Sequence, residues 1–367
     1  PVNKENVLKS GVVKPEDTDL IVDYIDIDLP TSGLYKNRLM MLDILHNNDW
    51  ERPIYFTGGS YDDSEYFWMK DYLQLDGLVY KLVPIKTPID PNNPYQMGRI
   101  DTDIMYDIVM KWDWGNSDSQ DIYHDPETRK NSISFRSNIT RLAKTLIDEE
   151  QNEKAITVLD LAMEKMPIET FGYYSLVIPI AAAYYRAGAL DKAQKIVTTI
   201  ASGYKEYMRY YAQWNRDEQL MLMEDIVANV ERYKSLLTEI IIAKDHKSMT
   251  ALYDSFFESI IPFSYIYGKY DFYTELTPFV AALYDSDQVE FARELSTEIA
   301  QQYIDLLNRF LTLDDEQLSY FEMEIGIEIE AYKSLVSTVK RNENDLVFSE
   351  AFEETYNETI APFSNLD

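Results

Sequence analysis

The chain has 367 residues, which is enough for two or three domains with separate hydrophobic cores. Its 64 acidic and 34 basic residues give a formal net charge of −30, and so acidic a surface argues against binding to nucleic acids or anionic lipid head groups. An apolar fraction of 46%, with 13% aromatic residues, excludes an intrinsically disordered chain.

The residue inventory also restricts the chemistry. Cysteine is absent, which excludes disulfide scaffolds, cysteine nucleophiles and thiolate metal sites. The three histidines, His46, His124 and His246, are far apart in sequence, which excludes a histidine-rich zinc centre. No apolar run reaches the roughly 18–20 residues of a membrane-spanning helix. The chain shows no signal peptide and begins at Pro1, so we expect it to be a piece of a larger protein.

Strand and helix patterns alternate in the first part of the chain, up to about residue 131. Alternating or short apolar runs predict strands at 20–28, 53–57 and 78–85. Apolar residues at helical spacing predict helices at 36–47 and 64–75, and Asp101 predicts the N-cap of a helix that extends to about Lys111. We therefore expect a small α/β domain over residues 1–131.

From about residue 132 onward, apolar residues recur at three- and four-residue spacing, so this region is predicted to be helical. Two units resemble the tetratricopeptide pattern, in which small residues lie where two antiparallel helices cross closely. The residues predicted to pack these units are Leu142, Ala143, Ala155, Leu159, Ala162 and Pro167 in the first, and Ala181, Tyr184 and Ala193 in the second. The second unit departs from the pattern because it lacks the closing proline and carries Ile200 where a small residue is usual.

A weaker third copy follows. Pro278 lies 99 positions after Pro179, and Ala281 repeats Ala182 at the same offset. We therefore predict two repeats over residues 132–207, then further helices over 208–367 with a divergent third repeat near 273–306. The expected fold class is α+β overall, a small α/β domain followed by an all-α tetratricopeptide-like helical repeat array.

Stacked helix pairs bury the apolar face that each pair leaves open, and the stack forms a concave groove. Such grooves usually bind peptides or other proteins. The alternative is that the helices only support the α/β domain.

The sequence identifies no catalytic residue, no cofactor-binding residue and no metal ligand. The candidate ligand contacts are an aromatic cluster with two acidic neighbours: Tyr66, Trp68, Tyr72, Asp62 and Asp63. Aromatic faces stack on sugars, whereas aromatic residues at helical spacing usually fill a core. The two aspartates follow a Thr-Gly-Gly-Ser turn at 57–60, whose spacing fits neither a Walker loop nor a dinucleotide fingerprint, and they act equally well as helix caps.

Several segments are distinctive enough to indicate a family. They are Trp50–Phe56 (WERPIYF), Asp71–Ile85, Asp101–Tyr106 and the repeat that begins near Arg136. Together they resemble the soluble C-terminal region of large multi-spanning bacterial membrane proteins, and the resemblance is good over about residues 34–200. These proteins carry a domain of unknown function of the lipid-linked-sugar glycosyltransferase type, similar to vertebrate protein O-mannosyltransferases.

The resemblance implies a region on the extracytoplasmic, periplasmic side of a bacterial membrane, tethered to a membrane-embedded N-terminal domain. It also implies protein O-glycosyltransferase activity for the parent, with the catalytic carboxylates in the membrane part and none in this chain. The first functional hypothesis is a non-catalytic accessory domain that presents or binds a polypeptide acceptor, without a cofactor. The alternative is a sugar-binding or enzymatic α/β domain that uses the aromatic cluster around Trp68.

Overall fold

The computed structural model describes residues 1–27, 33–57, 69–89, 96–119, 121–267, 271–314, 318 and 320–364. The chain forms two compact units, an N-terminal unit (Pro1–Gly188) and a C-terminal unit (Ala189–Asp367). A small antiparallel sheet lies in the N-terminal unit and helices follow it, so the predicted α+β class is confirmed.

The sheet has three strands, β1 (Tyr55–Thr57), β2 (Leu73–Asp76) and β3 (Val79–Leu82). They are ordered β1-β3-β2, and both pairings are antiparallel. A two-residue turn joins β2 to β3 and needs Gly77, whose φ of +70° lies in the left-handed region. A Cβ on Gly77 would also lie 3.0 Å from side-chain carbons of Ile108 and Trp112.

Seven helices of the N-terminal unit fall in its described part. They are α1 (Lys4–Lys9), α2 (Lys36–Asn48), α3 (Thr102–Met110), α4 (Pro126–Asp148), α5 (Asn152–Lys165), α6 (Ile168–Phe171) and α7 (Ile178–Arg186). The predicted helix at 36–47 is confirmed as α2. The predicted N-cap is also confirmed, because the Asp101 carboxylate accepts a hydrogen bond from the Ile104 amide at 3.2 Å at the start of α3.

Two predicted elements are wrong. Residues 20–27 form no strand ladder, because Ile21 makes a single bridge to Ile85 after a 3₁₀ turn over Pro15–Leu20. The second half of the helix predicted at 64–75 is instead a 3₁₀ turn (Lys70–Tyr72) followed by β2. Residues 64–68 lie outside the described part.

The sequence pattern did not predict strand β2, because the polar residues of this strand are buried together with its apolar residues. Asp76 pairs with Lys81 at 3.1 Å, with both side chains about 5% exposed or less, and the Gln74 amide donates to Asp76 at 2.9 Å. Leu73 and Leu75 point to the other face, where both are fully buried. All four positions of the strand are therefore buried, and the in–out alternation that marks a half-exposed strand is lost.

Helices α4 and α5 form a hairpin closed by a turn in which Glu150 has a φ of +60°. The small and aliphatic residues predicted to pack this hairpin are all fully buried: Leu142, Ala143, Ala155, Leu159 and Ala162. Pro167 is half-buried and precedes α6. In α7, Ala181 is fully buried and Tyr184 is 2% exposed, with its hydroxyl donating to Asp160 at 2.8 Å.

The end of this hairpin is fixed by a buried arginine. The guanidinium of Arg136 donates to the carbonyl oxygens of Gly172 and Met166 at 2.6 and 2.7 Å, and its side chain is fully buried. Burial lowers the pKa of Arg136 to about 10, although the nearby Glu169 charge acts in the opposite direction. The two carbonyls let the cation remain in the interior, since they replace the water that it loses.

The C-terminal unit is helical throughout its described part. Its helices are α8 (Leu190–Tyr211), α9 (Arg216–Met221), α10 (Met223–Ile242), α11 (His246–Ile260), α12 (Asp271–Asp285), α13 (Val289–Phe310), α14 (Glu322–Asn342) and α15 (Leu346–Ile360). Helix α8, in which Ala193 is fully buried, packs on α10 and α11, whereas α12 packs on α13 and α14. The α12–α13 hairpin covers the region predicted as the third repeat, and the described architecture is repeat-like as the sequence indicates.

Ala162 tests the close helix crossing in α5. Ala162→Trp should lower the free energy of unfolding by several kcal/mol, on the order of 3, because a fully buried site has no room for an indole ring. Thermal and urea denaturation measure the effect. The control is Thr157→Trp, at an exposed position of the same helix, and equal melting of the two variants would contradict the packing.

Glu343 should make the C-terminal unit sensitive to acid. Its carboxylate accepts two hydrogen bonds from the Arg293 guanidinium, at 2.7 and 2.8 Å. Hydrogen bonding to Arg293 is the main reason why the pKa of Glu343 is lowered to about 2. The pKa of Glu343 in the folded chain lies below the ordinary glutamate value of 4.5, so this stabilisation is present above pH 4.5 and is lost as the pH falls towards 2.

The prediction is tested by comparing the wild type with Glu343→Gln in urea at several pH values. The variant should be less stable near neutral pH, and the difference should shrink between pH 4.5 and 2. Glu330→Gln, which removes a carboxylate from an exposed pair with Lys333, is the matched control. A difference that stays constant across the acid range would contradict the assignment.

Candidate functional site

Helix α2 is rich in apolar residues yet has no buried residue. Its apolar side chains are not segregated on one face, and they are Leu39, Met40, Met41, Leu42, Ile44 and Leu45. Leu39, Met40 and Ile44 are 60%, 57% and 52% exposed, and the preceding Tyr35 is 83% exposed. The polar residues of α2 are spread along the same helix, so the observation is the exposure of several neighbouring apolar side chains. Exposed apolar side chains that group together indicate a surface that is covered in use.

The chain leaves α2 through a strained turn. Asp49 and Trp50 both have a positive φ, 41° and 63°, although neither is glycine. Two successive residues in the left-handed region cost of order 1–3 kcal/mol each and persist only when the surroundings impose them. Such strain is often found at sites of function, and it marks the start of the WERPIYF segment.

Two asparagines of the N-terminal segment hold this turn. The Asn3 and Asn6 amides donate to Asp49 Oδ2 at 2.8 and 3.0 Å, and Asn6 also donates to the Asp49 carbonyl at 2.9 Å. On the other side, the Asn48 amide donates to the Arg52 carbonyl at 2.8 Å. These hydrogen bonds impose the left-handed conformation of the turn. They also fix the direction in which the chain continues from α2 towards β1.

The turn also anchors α2 to a small core. Trp50 packs against a cluster formed by residues of α1, the following loop and the end of β3: Val7, Val12, Val13, Ile21, Val83 and Ile85. The indole is half-buried, so one part fills this core while another part remains accessible. The strained turn is therefore stabilised by apolar burial as well as by hydrogen bonds.

A cleft of about 290 Å³ opens between α2 and the sheet. Most of its lining is apolar: Val2, Ile25, Ile27, Leu42, Leu45, Trp50, Ile54, Met69 and Leu82. The remaining lining residues are Pro1, His46, Asn48, Asp49 and Arg52. A mostly apolar cleft with a few polar groups is the usual composition of a site that binds a side chain or a small organic group.

Ion pairs tie the α1 region to the first helical hairpin. Lys14 lies 3.0 Å from Asp101 and 3.8 Å from Asp103, and Asp103 also pairs with Lys154 of α5 at 3.4 Å. Desolvation lowers the pKa of Lys14, but the Asp101 hydrogen bond and the surrounding carboxylates outweigh it, and the net pKa is raised. The Asp101–Tyr106 segment is thus a junction that connects the α1 region, next to the cleft, with helix α5.

The side chains of α4 complete that junction. Arg141 donates to the carbonyls of Met97 and Gly98 at 2.8 and 2.9 Å, and the Asn138 amide donates to the Gly77 carbonyl at 2.8 Å. Because the sheet and α4 share these contacts, the cleft belongs to a rigid framework within the N-terminal unit.

Most of the predicted aromatic cluster lies outside the part of the chain that the structure describes. Asp62, Asp63, Tyr66 and Trp68 lie outside the described residues. Tyr72 is described, and it is 7% exposed and follows the buried Met69, which is the environment of a core residue. The described residues contain no group of three or more His, Cys, Asp or Glu side chains that could hold a metal ion.

Sequence reasoning missed α2 and its cleft as a site. The signal was present, because residues 39–45 carry six apolar side chains around a single aspartate. A run of that composition in a helix that stays exposed favours a surface that a partner covers.

One comparison with known proteins covers the region that contains this cleft. Residues 1–104 match the family model described as TMEM260-associated domain 2. These residues contain α2, the strained turn, the sheet and the whole lining of the cleft. The match relates the first part of the chain to a domain of a membrane-protein family.

Neither of the other two comparisons gives a relative. No curated protein matches the chain, and no solved structure matches it. Among the described residues, no helix is both long enough and apolar enough to cross a membrane.

The strained turn should depend on Asn6. Asn6→Ala removes two hydrogen bonds to Asp49 and should lower the free energy of unfolding by about 1 kcal/mol, because the groups are exposed and water replaces part of the interaction. Amide hydrogen exchange of residues 49–51 should accelerate as the turn opens. Asn47→Ala, which removes local bonds to Asp43 within α2, is the control and should leave that exchange unchanged.

Proposed function

We propose that this chain is a non-catalytic accessory region of a membrane protein, and that α2 and its cleft are the surface by which it binds another polypeptide. The observation that carries the proposal is the unburied apolar helix α2 inside the region that matches the TMEM260-associated domain. Neither fact alone defines a function. Together they place an incompletely covered apolar surface on a domain from a membrane-protein family.

The chemistry of the surface favours a polypeptide over a lipid bilayer. Insertion of a helix into an anionic membrane surface is assisted by a cluster of basic residues, whereas α2 carries only Lys36 and Arg38 beside Asp43. The whole chain has a net charge of −30, which opposes its approach to anionic lipids. The cleft is too small for a folded domain but accepts one or two large apolar side chains. A partner helix or loop with one protruding apolar residue fits both α2 and the cleft.

The proposed partner is the membrane-embedded N-terminal domain of the same parent. The resemblance of WERPIYF and the following segments to C-terminal regions of bacterial multi-spanning proteins supports this choice. It also supports an extracytoplasmic location and a parent of the protein O-glycosyltransferase type. In that arrangement the tetratricopeptide-like helices present an acceptor polypeptide to the membrane enzyme, and α2 keeps the accessory region in place.

The alternative, a sugar-binding or enzymatic domain centred on Trp68, has less support. Tyr72 is the member of the cluster that lies in the described part, and its burial favours a core role. The charged or titratable residues that line the N-terminal cleft are His46, Asp49 and Arg52, and most of the other lining residues are aliphatic. Aliphatic walls favour an apolar side chain over a hydroxyl-rich sugar.

Photo-crosslinking in the full-length parent tests the proposal. A benzophenone amino acid at Ile44 should crosslink to the membrane-embedded part, because Ile44 lies on the exposed side of α2. The same probe at Lys130, an exposed position of α4, is the control and should give no such product. Crosslinks only to lipid, or equal products from both positions, would overturn the proposed partner.

A paired substitution measures the functional consequence. Met40→Lys with Ile44→Lys should leave the thermal stability of the chain within about 0.5 kcal/mol, because both side chains are already exposed. Sugar transfer by the parent should nevertheless fall by about 10-fold or more, because each buried lysine opposes docking. Normal transfer rates with a folded variant would contradict a docking role for α2.

A further inference from the structure

The C-terminal unit contains a groove of about 440 Å³ between α11, α12 and α13. The floor of the groove is formed by apolar side chains that are between 1% and 7% exposed: Phe257, Leu276, Leu295 and Ile299. Ile261 extends this apolar surface outward and is 46% exposed. The groove is remote in sequence from the region that matches the family model.

The rim of the groove is acidic. Asp254 and Glu258 line it from α11 and Glu298 lines it from α13, and all three side chains are exposed. No lysine, arginine or histidine is among the described lining residues, whose other polar members are Tyr253, Gln301 and Gln302. Within the described lining, the rim therefore carries three carboxylates and no basic side chain, beside an apolar floor.

A buried tyrosine hydroxyl lies at the groove. Tyr253 is 3% exposed and lines the groove, and its hydroxyl has no hydrogen-bond partner among the described residues. A buried hydroxyl without a partner costs about 1–3 kcal/mol, so most such groups are satisfied by protein, water or ligand. The rings of Phe257 and Phe291, with centroids 4.8 and 5.0 Å away, hold the phenol in place.

The electrostatics agree with a cationic ligand. Burial raises the pKa of Tyr253, and the carboxylates of Glu298, Glu294 and Asp254 raise it further, which places the phenol next to the acidic rim. Partial desolvation, followed by the charges of Glu294 and Asp254, also raises the pKa of Glu298. Carboxylates that repel one another in this way gain from a positive charge placed between them.

We propose that this groove binds a basic amphipathic segment of another polypeptide, with apolar side chains on the floor and lysine or arginine at the rim. Charge complementarity selects this partner, because an acidic segment would add to the repulsion at the rim and a purely apolar one would leave it unrelieved. The Tyr253 hydroxyl then donates to a carbonyl of the bound segment. The Gln301 and Gln302 amides offer further donors to its backbone.

Fluorescence anisotropy with the complete 367-residue chain tests this proposal. The probe is a fluorescein-labelled twelve-residue peptide made of three Leu-Lys-Lys-Leu repeats, and the comparison peptide has glutamate in place of each lysine. The lysine peptide should bind and the glutamate peptide should not. Affinity should also fall as salt is raised, because the rim charges are exposed.

Single substitutions separate the groove from general attraction to an acidic protein. Glu298→Gln should weaken binding by about 5-fold, whereas Glu290→Gln, which removes the same charge from an exposed site at the start of α13, should have less than about 2-fold effect. Tyr253→Phe should weaken binding by about 5-fold without lowering the melting temperature, because it removes a hydroxyl that has no partner. Equal effects of the two glutamate variants would overturn the proposal and would mean adhesion to surface charge only.

Gln302→Lys provides a further test that leaves the core unchanged. Gln302 is exposed, so the substitution should not affect folding, but a positive charge at the rim should weaken binding of the lysine peptide by about 5-fold. Unchanged binding by this folded variant would show that the peptide lies elsewhere. The test does not depend on the proposed role of α2, since that helix is not part of the groove.

Discussion

The hydrogen bonds between Asp49 and the two asparagines of the N-terminal segment are the constraint on which the candidate site depends. Together with the Asn48–Arg52 hydrogen bond and the packing of Trp50, they offset the cost of two successive non-glycine residues with positive φ. They turn the chain sharply after α2, seat Trp50 against the core and leave α2 facing outward. The cleft exists because the turn holds α2 away from the sheet and does not let it collapse onto β3.

This arrangement separates stability from recognition within one unit. The Arg141 contacts and the Lys14 ion pairs join the sheet region to α4 and α5, and the small residues of that hairpin are fully buried. Helix α2 contributes no buried residue to this framework. Its apolar side chains are therefore free to contact a partner, and substitutions on its exposed side should affect binding far more than folding.

The sequence predicted α2, α3 and the α4–α5 hairpin, because their signals are local. Asp101 caps α3 as its side chain and position suggest, and the alanines at 143, 155 and 162 are buried where two helices cross. The short strand β2 was missed because Gln74 and Asp76 are buried beside Lys81, and a cross-strand ion pair leaves no local pattern. The alternation at 20–27 was misleading because Ile25 and Ile27 line the cleft and make no strand ladder.

The candidate sites were harder to predict than the fold. The left-handed turn at Asp49 depends on Asn3 and Asn6, which are more than forty positions away, and no rule of local spacing connects them. The acidic groove likewise requires α11 and α13 to lie side by side before Asp254 and Glu298 become neighbours. Composition showed that acidic residues are abundant, and only the fold shows which of them meet at an apolar floor.

The central claim is that a polypeptide covers α2 in the parent protein. Amide hydrogen exchange followed by mass spectrometry, comparing this chain alone with the full-length membrane protein, measures that cover directly. We expect amides of residues 39–46 to exchange at least about 10-fold more slowly in the full-length protein, while those of α5 stay the same. Equal exchange of residues 39–46 in both forms would show that α2 remains uncovered and would contradict the account.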